Sequence, residues 1–453
     1  MIKRTLFEVN EMVSGQGAQE NININGASID TRTVIKDNLF VPIIGERFNG
    51  HEFVKTAVEQ GAVASLWQKD QPNPPKDIPL IFVDDTLKAL QQLAKNYLEQ
   101  LDVKVVGITG SNGKTTTKDM VASVLGTTFK VQKTEGNLNN HIGLPLTILR
   151  LEEDTEIAVL EMGMSGKGEI EFLSNLAGPD AAIITNIGES HLQDLGSREG
   201  IAEAKLEIKA GLDSSGPLIF HGDEPLLNER VDKSKVKFIT FGLSDTCDYY
   251  STSVEQKNDG TFFTINKYRE HPFFIPVLGK HNVNNAMATI ALADFFGVPV
   301  DKINTGFKGL KITGMRTELL KGKDDVHIIN DAYNASPTSM KAAIELLEDL
   351  NGYQQKIVVL GDMLELGENE KNFHYEVGKA INKDKIDFVF TFGELAQHIA
   401  LGAREHFKEE KVFAYNNKEE LITQLLSLVK TNDIVLVKGS RGMKLEEVVN
   451  ALQ

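Results

Sequence analysis

The stretch VKVVGITGSNGKTTTK, residues 103–118, decides how the rest of the chain is read. Residues 103–108 are nearly all apolar, as in a strand buried on both faces of a parallel sheet. Gly107, Gly110 and Gly113 follow at every third position, then Lys114 and three threonines, and helix-compatible sequence runs on to Leu125. Strand, glycine turn and helix start stand in the order that a phosphate site requires. Glycine lets the backbone approach an anion and adopt positive φ. The free N–H groups of the helix start then point at the anion's oxygens. In such a loop Lys114 reaches the β/γ-phosphates and the Thr115 hydroxyl sits on Mg²⁺. The spacing is a variant, G-x-x-G-x-x-G-K-T-T, with Ile108 where the strict pattern has glycine.

The chain has 453 residues, room for two to four domains with sizeable cores. Its 48 basic and 64 acidic residues give a net charge of −16, so no global positive field is present to hold nucleic acid. A phosphate ligand needs only local cations and N–H groups. The single cysteine, Cys247, cannot form an internal disulfide; with the nucleotide loop it indicates a reducing, cytoplasmic setting. The N-terminal MIKRTLFEVNEMV has no apolar core of signal-peptide length. No apolar run reaches the roughly 18 residues of a membrane span, so none is expected.

Upstream of the loop, residues 1–102 read as a small α/β domain. Strands are expected at 39–44 and 80–83, helices at 52–60 and 86–100, and a proline-rich surface loop at 71–79. Ser28, Thr31 and Arg32 place hydroxyls beside a guanidinium, and GERFNGH (45–51) is a polar loop after a strand. These stretches read either as plain turns or as donors for a ligand's ring and phosphates.

Downstream, residues 103–313 form a central domain. TEGNLNNHIG (134–143), with Asn137, Asn139 and Asn140, suits neither helix nor strand. It reads as a solvated loop or as one offering amides to a polar ligand. Strand 157–160 ends in Glu161, and strand 181–184 ends near Asn186 and His191. Ligands of open parallel sheets bind outside the strands' carboxyl ends, so both residues are placed to meet the phosphate loop. Glu161 is suited to hold a metal, and His191 a second metal or a bridging water. Lys205 lies in a helix expected at 199–212, and its spacing alone suggests nothing beyond a solvated lysine. Strands at 249–254, 261–265 and 272–276 include a hairpin at Asn258-Asp259-Gly260. Asn282 and Asn285 open an alanine-rich helix, where they either cap it or face a purine. Residues 314–453 alternate strand (326–329, 356–360, 388–392, 411–413, 434–437) with helix, the pattern of a doubly wound parallel sheet. Polar clusters at three strand ends, beginning at Asn330, Gly361 and Lys438, form one crevice by the same strand-end rule.

These residues resemble the Mur ligase family over the whole chain, in three blocks. TGSNGKTTTK (109–118) matches an ATP loop that the family shares with folylpolyglutamate synthases. More specific are TEGNLNNHIGLP, EMGMSGKGEI, DAYNASPTSM, VLGDMLELG and VKGSRGM. The last four are similar to the branch that adds D-alanyl-D-alanine to UDP-N-acetylmuramoyl-tripeptide rather than the branch that adds the third peptide residue. The resemblance implies a small N-terminal α/β domain for the UDP substrate, a central P-loop ATPase-like parallel-sheet domain and a C-terminal Rossmann-like domain. It implies a monomeric, ATP- and Mg²⁺-dependent amide ligase of peptidoglycan precursor synthesis, with Lys114, Glu161, His191 and Lys205 as its catalytic residues. By resemblance Thr109, Gly110, Ser111, Asn112, Gly113, Lys114, Thr115 and Thr116 bind ATP phosphates, and Asn282 and Asn285 lie on the adenine side. Arg316 and Asp331 close onto ATP from the third domain. Thr115 and Glu161 hold one Mg²⁺ and His191 helps hold a second. Lys205 matches a lysine that several members carbamylate, which turns a cation into a metal-ligating anion. Ser28, Thr31 and Arg32 match the UDP site, and Asn137, Asn139 and Asn140 the nucleotide-sugar loop. Asp30-Thr31-Arg32 replaces a frequent Asp-Ser-Arg, and Met315 stands where glycine often precedes the arginine.

Two other readings compete: a sister amide ligase of the same superfamily, and a nucleotide-gated switch with no ligase chemistry. The switch has no use for a metal-holding acid or for a strand-end crevice in a third domain, which Glu161, His191 and Asp331 supply.

Overall fold

The computed structural model describes residues 1–17, 20–232 and 234–453. The glycine-loop strand, Lys104–Thr109, lies inside a nine-stranded sheet. Ile157–Glu161 and then Val131–Lys133 flank it on one side; Ala181–Ile184, Leu218–His221 and Phe238–Gly242 flank it on the other. All of these pair in parallel. The chain leaves the loop strand to one side and returns on the other, so the loop sits at the topological switch point, where such sheets bind ligands. The far edge is an antiparallel meander of Tyr249–Lys257, Gly260–Ile265 and Phe273–Ile275, and Lys257 pairs with Gly260 across the expected hairpin. Leu218–His221 and Phe238–Gly242 are strands that no motif marks; only short apolar runs encode them.

The N-terminal unit is a five-stranded sheet in the order Gln16–Gly17, Leu80–Val83, Ala62–Gln68, Asn38–Phe40, Ala27–Ser28. The strand expected at 39–44 stops at Phe40, two residues before Pro42, which has no N–H for the ladder. Helix Thr86–Leu98 is capped by the Asp85 carboxylate, which accepts from Leu87 and Lys88 N–H, a contact worth about 1 kcal/mol. The helix buries Leu90, Leu93 and Tyr97 against helix Gly143–Leu149 of the central unit, and the Tyr97 hydroxyl donates to the Leu151 carbonyl. One apolar core therefore runs from the first sheet into one face of the second.

The third unit is a six-stranded sheet in the order Glu318–Lys321, His327–Asp331, Ile434–Lys438, Lys356–Gly361, Phe388–Phe392, Val412–Tyr415. Five strands are parallel, and Glu318–Lys321 is an antiparallel edge. That edge strand is missed by the sequence reading because its burial alternates between half-buried and exposed. With helices on both faces, the unit has the expected Rossmann-like form.

A buried carboxylate ties the third unit's linker to the loop helix Lys114–Leu125. Asp119 accepts from Lys133 Nζ (2.6 Å) and from Thr313 N and Oγ1 (2.8 Å each), and lies 3.5 Å from the buried Lys118 ammonium. Lys118 Nζ has no hydrogen bond of its own. Removing one partner of a buried charge pair leaves the other uncompensated, so Asp119→Ala is expected to cost about 3–5 kcal/mol. The measurement is the central transition in urea. A loss below about 1 kcal/mol, the range of surface pairs, would show that Lys118 is compensated elsewhere.

Candidate active site

The loop's shape comes from two glycines in the left-handed region. Gly110 has φ 143°, and a Cβ there would lie 1.9 Å from Thr185 Oγ1. Gly113 has φ 79°, and a Cβ there would meet the Asn285 amide at 2.8 Å. The neighbouring strand end braces the loop. Ser111 N donates to the Asn186 carbonyl, Asn112 N to Asn186 Oδ1, and Thr185 Oγ1 to the Asn112 carbonyl. Thr117 N–H bonds back to the Gly113 carbonyl; the helix-start N–H groups before it have no partner inside the helix. Ser111 Oγ, Asn112 Nδ2 and Arg316 Nε are buried without a hydrogen bond. Buried polar groups are normally paired, so these atoms suit a polar ligand in the crevice.

Lys114 Nζ donates to the Gly110 carbonyl (2.7 Å) and the Ser111 carbonyl (3.3 Å) of its own loop. Burial lowers its pKa to about 8; Glu161 opposes the shift and the Arg316 charge adds to it. Register places Glu161 beside Ile108 at the carboxyl end of the sheet. Its carboxylate is buried and takes the Thr115 hydroxyl (2.9 Å) on one oxygen and Asn139 Nδ2 (2.9 Å) on the other. Thr115, Glu161 and Asn139, chosen from three separate motifs, therefore meet. Asn140 Oδ1 caps helix Gly143–Leu149 through Ile142 and Gly143 N–H, and Asn137 is exposed on the same loop.

The lysine expected to be solvated is not: Lys205 is 1 % exposed. Its pKa falls well below the ordinary lysine value, first through burial and then through the nearby Lys114 charge. The helix expected at 199–212 ends at Leu206 and tightens into a 3-10 turn at Glu207–Ala210. The Glu207 carboxylate there accepts from Gly168 and Glu171 N–H.

His191 sits at φ 62°, ahead of the turn Leu192–Leu195, and burial lowers its pKa against the opposing Glu365 charge. Nearby, Asn282 Oδ1 accepts from Asn285 Nδ2, and both side chains are buried at the helix start touching Gly113.

The third unit meets this crevice. The Arg316 guanidinium stacks on the Tyr333 ring at 4.1 Å. Asp331 accepts from Thr317 N and, at 2.6 Å, from the buried Lys438 Nζ. Met315 and Thr317 both have left-handed φ, 64° and 53°, a conformation that glycine adopts freely and Met315 does not. The Glu189 carboxylate accepts from Thr338 N and Oγ1 at the start of helix Pro337–Asp349. Glu189 was not singled out in the sequence; Lys438 was marked only as the start of a strand-end polar cluster, with no role of its own. A lysine at the end of a strand paired in register with Asp331 was the available signal for Lys438.

Ser28, Thr31 and Arg32 cluster in the N-terminal unit, away from the phosphate loop's contacts. Ser28 Oγ shares a hydrogen bond with Thr33 Oγ1, and the exposed Arg32 guanidinium folds onto Asp30, holding that carboxyl below its usual range.

Three family models match the chain: "Mur ligase family, catalytic domain" over residues 23–98, "Mur ligase middle domain" over 108–293, and "Mur ligase, glutamate ligase domain" over 315–441. The chain is 57 % identical to UDP-N-acetylmuramoyl-tripeptide–D-alanyl-D-alanine ligase of Bacillus subtilis, covering 100 % of this chain and 99 % of the relative. It is 35 % identical to the Escherichia coli protein of the same name, with the same coverage. Among solved structures it superposes on MurF of Acinetobacter baumannii with a TM-score of 0.89 at 30 % identity, covering 100 % of this chain and 99 % of that one. The MurF ligase of Thermotoga maritima in complex with ADP gives a TM-score of 0.83 at 30 % identity, covering 94 % and 97 %.

Proposed function

The chain belongs to the Mur ligase family, and from that premise we propose that it joins D-alanyl-D-alanine to UDP-N-acetylmuramoyl-tripeptide with ATP, giving the pentapeptide nucleotide, ADP and phosphate. The observation that carries the reading is full-length similarity to that ligase in a chain whose phosphate loop, strand-end acid and third-domain arginine share one crevice. Residues 1–102, 103–313 and 314–453 are taken as its working units, acting as a monomer in the cytoplasm. No helix among the described residues is long and apolar enough to cross a membrane.

Thr109 to Thr116 hold the ATP phosphates, Asn282 and Asn285 the adenine side, and Arg316 and Asp331 close from the third domain. Ser28, Thr31 and Arg32 take the uridine diphosphate; Asn137, Asn139 and Asn140 line the path of the nucleotide sugar. No three His, Cys, Asp or Glu side chains among the described residues form a ready metal cage. Mg²⁺ is commonly held by one or two carboxylates together with substrate phosphates and waters, and the buried Glu161–Thr115 pair fits that pattern. In this reading Thr115 and Glu161 would hold one Mg²⁺, His191 would help hold a second, and a carbamylated Lys205 would add oxygen ligands. Mg²⁺ there supplies positive charge to the phosphate oxygens.

The tripeptide carboxylate attacks the γ-phosphorus; the bond to the ADP oxygen breaks and an acyl phosphate forms. The dipeptide amine then attacks the acyl carbon, phosphate leaves and the amine loses a proton. Two anions must meet in the first step. Lys114 and the helix-start N–H groups offset their repulsion and stabilise charge on the transferring group. Arg316 and the docked third unit align the reactants and exclude the water that would hydrolyse the acyl phosphate.

The test is ADP release with the tripeptide nucleotide, with and without D-alanyl-D-alanine, and mass spectrometry of the product. Dipeptide-dependent release and a pentapeptide nucleotide are expected; release that ignores the dipeptide would favour the switch reading. Arg32→Ala is expected to weaken nucleotide-tripeptide binding at least about tenfold, the loss of a charged hydrogen bond, with ATP affinity unchanged. Calorimetry giving equal losses for both ligands would count against a separate uridine-diphosphate site.

A further inference from the structure

His191 and its surroundings carry an inference that rests on the reading above, in which this histidine helps hold a metal. His191 Nδ1 is buried and lacks a hydrogen bond of good geometry, yet a Glu365 carboxylate oxygen lies only 2.7 Å away. Glu365 belongs to the third unit, in the loop after strand Lys356–Gly361. The approach is not one side chain's accident. Gln193 N–H donates to the Glu365 carbonyl at 3.1 Å, and a Cβ on Gly367 would lie 3.5 Å from Gln193 Cα. His191 and Glu365 both hold left-handed φ, 62° and 64°. Such a conformation costs a non-glycine residue free energy and persists only where surroundings over-determine it. The Glu365 loop is fixed from its own side by Met363 N–H to His374 Nε2 (2.8 Å) and Leu364 N–H to Ser440 Oγ (2.9 Å).

A metal-ligating histidine ordinarily gives its other ring N–H to a carboxylate or carbonyl, which fixes the ring's tautomer and direction. Here the carboxylate comes from another sheet. We propose that Glu365 is a positioning residue for His191, so that the imidazole is aimed with Nε2 toward the phosphate crevice only while the third unit is docked. Docking and metal affinity at the His191 position are then two faces of one equilibrium: the metal favours the docked state by as much as docking favours the metal.

The experiment uses the full chain, with Mn²⁺ as a paramagnetic stand-in for Mg²⁺ and ADP present, and counts bound Mn²⁺ by electron paramagnetic resonance. Wild type is expected to bind two equivalents. E365A is expected to weaken one of them by about 10–100-fold, the size of comparable losses, and H191A should weaken the same one. The double variant should be no weaker than H191A alone. E365Q, whose amide oxygen still accepts from Nδ1–H, should recover most of the affinity and confirms that the loop is folded. In turnover, E365A should need more Mg²⁺ for half-maximal rate while the KM for ATP at saturating Mg²⁺ stays within about twofold, as expected for a group that acts through another. If E365A binds Mn²⁺ like wild type while H191A does not, the positioning role falls and the metal role of His191 stands. If H191A binds like wild type, both fall.

Discussion

Lys114→Ala is expected to lower the ligation rate by about 10³-fold or more, the scale on which a single charge on a transferring phosphoryl group acts, with the fold intact. Both halves follow from where the side chain lies. Its ammonium enters no ion pair among the described residues and rests on two carbonyls of its own loop. Alanine removes those bonds but leaves the glycines, the Asn186 brace and the helix start that shape the loop, and thermal unfolding should shift little. The loss falls on catalysis because Lys114 stands at the helix start beside Glu161 and Arg316, where two anions must be brought together. A pKa near 8 leaves the group largely protonated at neutral pH, and added phosphate charge raises it again. Turnover near wild type with an unchanged ATP KM would remove Lys114 from the mechanism.

How much of this was legible beforehand varied with the physics involved. The loop, the strand ends and the alternation of strand and helix were readable because each is written in adjacent residues. Glu161 and His191 could be placed because a strand's end fixes where the next side chain emerges. Lys205 was different. Its neighbours in sequence describe an ordinary helix, and the burial that changes its chemistry comes from packing against other parts of the fold. Glu365 was visible as part of a polar cluster, but its reach to His191 depends on how two sheets dock. Leu218–His221 and Phe238–Gly242 were missed for a related reason: a four- or five-residue apolar run becomes a strand only because a sheet is waiting beside it.

Lys205→Ala is expected to cut ligation by about 100-fold or more, the upper range for losing a group that supports a metal site, and short carboxylates such as formate or acetate are expected to restore part of it. The buried ammonium has no ion pair among the described residues. The two acids nearest in charge are already engaged: Glu169 accepts from Ser165 and Gly166 N–H, and Glu207 from Gly168 and Glu171 N–H. An unpaired buried cation is costly, so the side chain favours the neutral amine, the form that attacks CO₂. The nitrogen bonds to the carbon of CO₂, one C=O π pair moves to oxygen and a proton leaves, so a would-be cation becomes an anion with two oxygen donors. That product suits a neighbour such as Lys114 and the hard oxygen ligation that Mg²⁺ prefers. Glu207 cannot take over, because it caps the helix Glu169–Ala177 from its own 3-10 turn. Rescue by carboxylate separates this account from simple packing damage, which an added anion would not repair. The carbamate is also directly observable: ¹³C-labelled bicarbonate should give a carbamate resonance in wild type that Lys205→Ala lacks. Retained activity in the alanine variant, or a missing resonance in active wild-type enzyme, would leave Lys205 as a buried, unmodified core lysine.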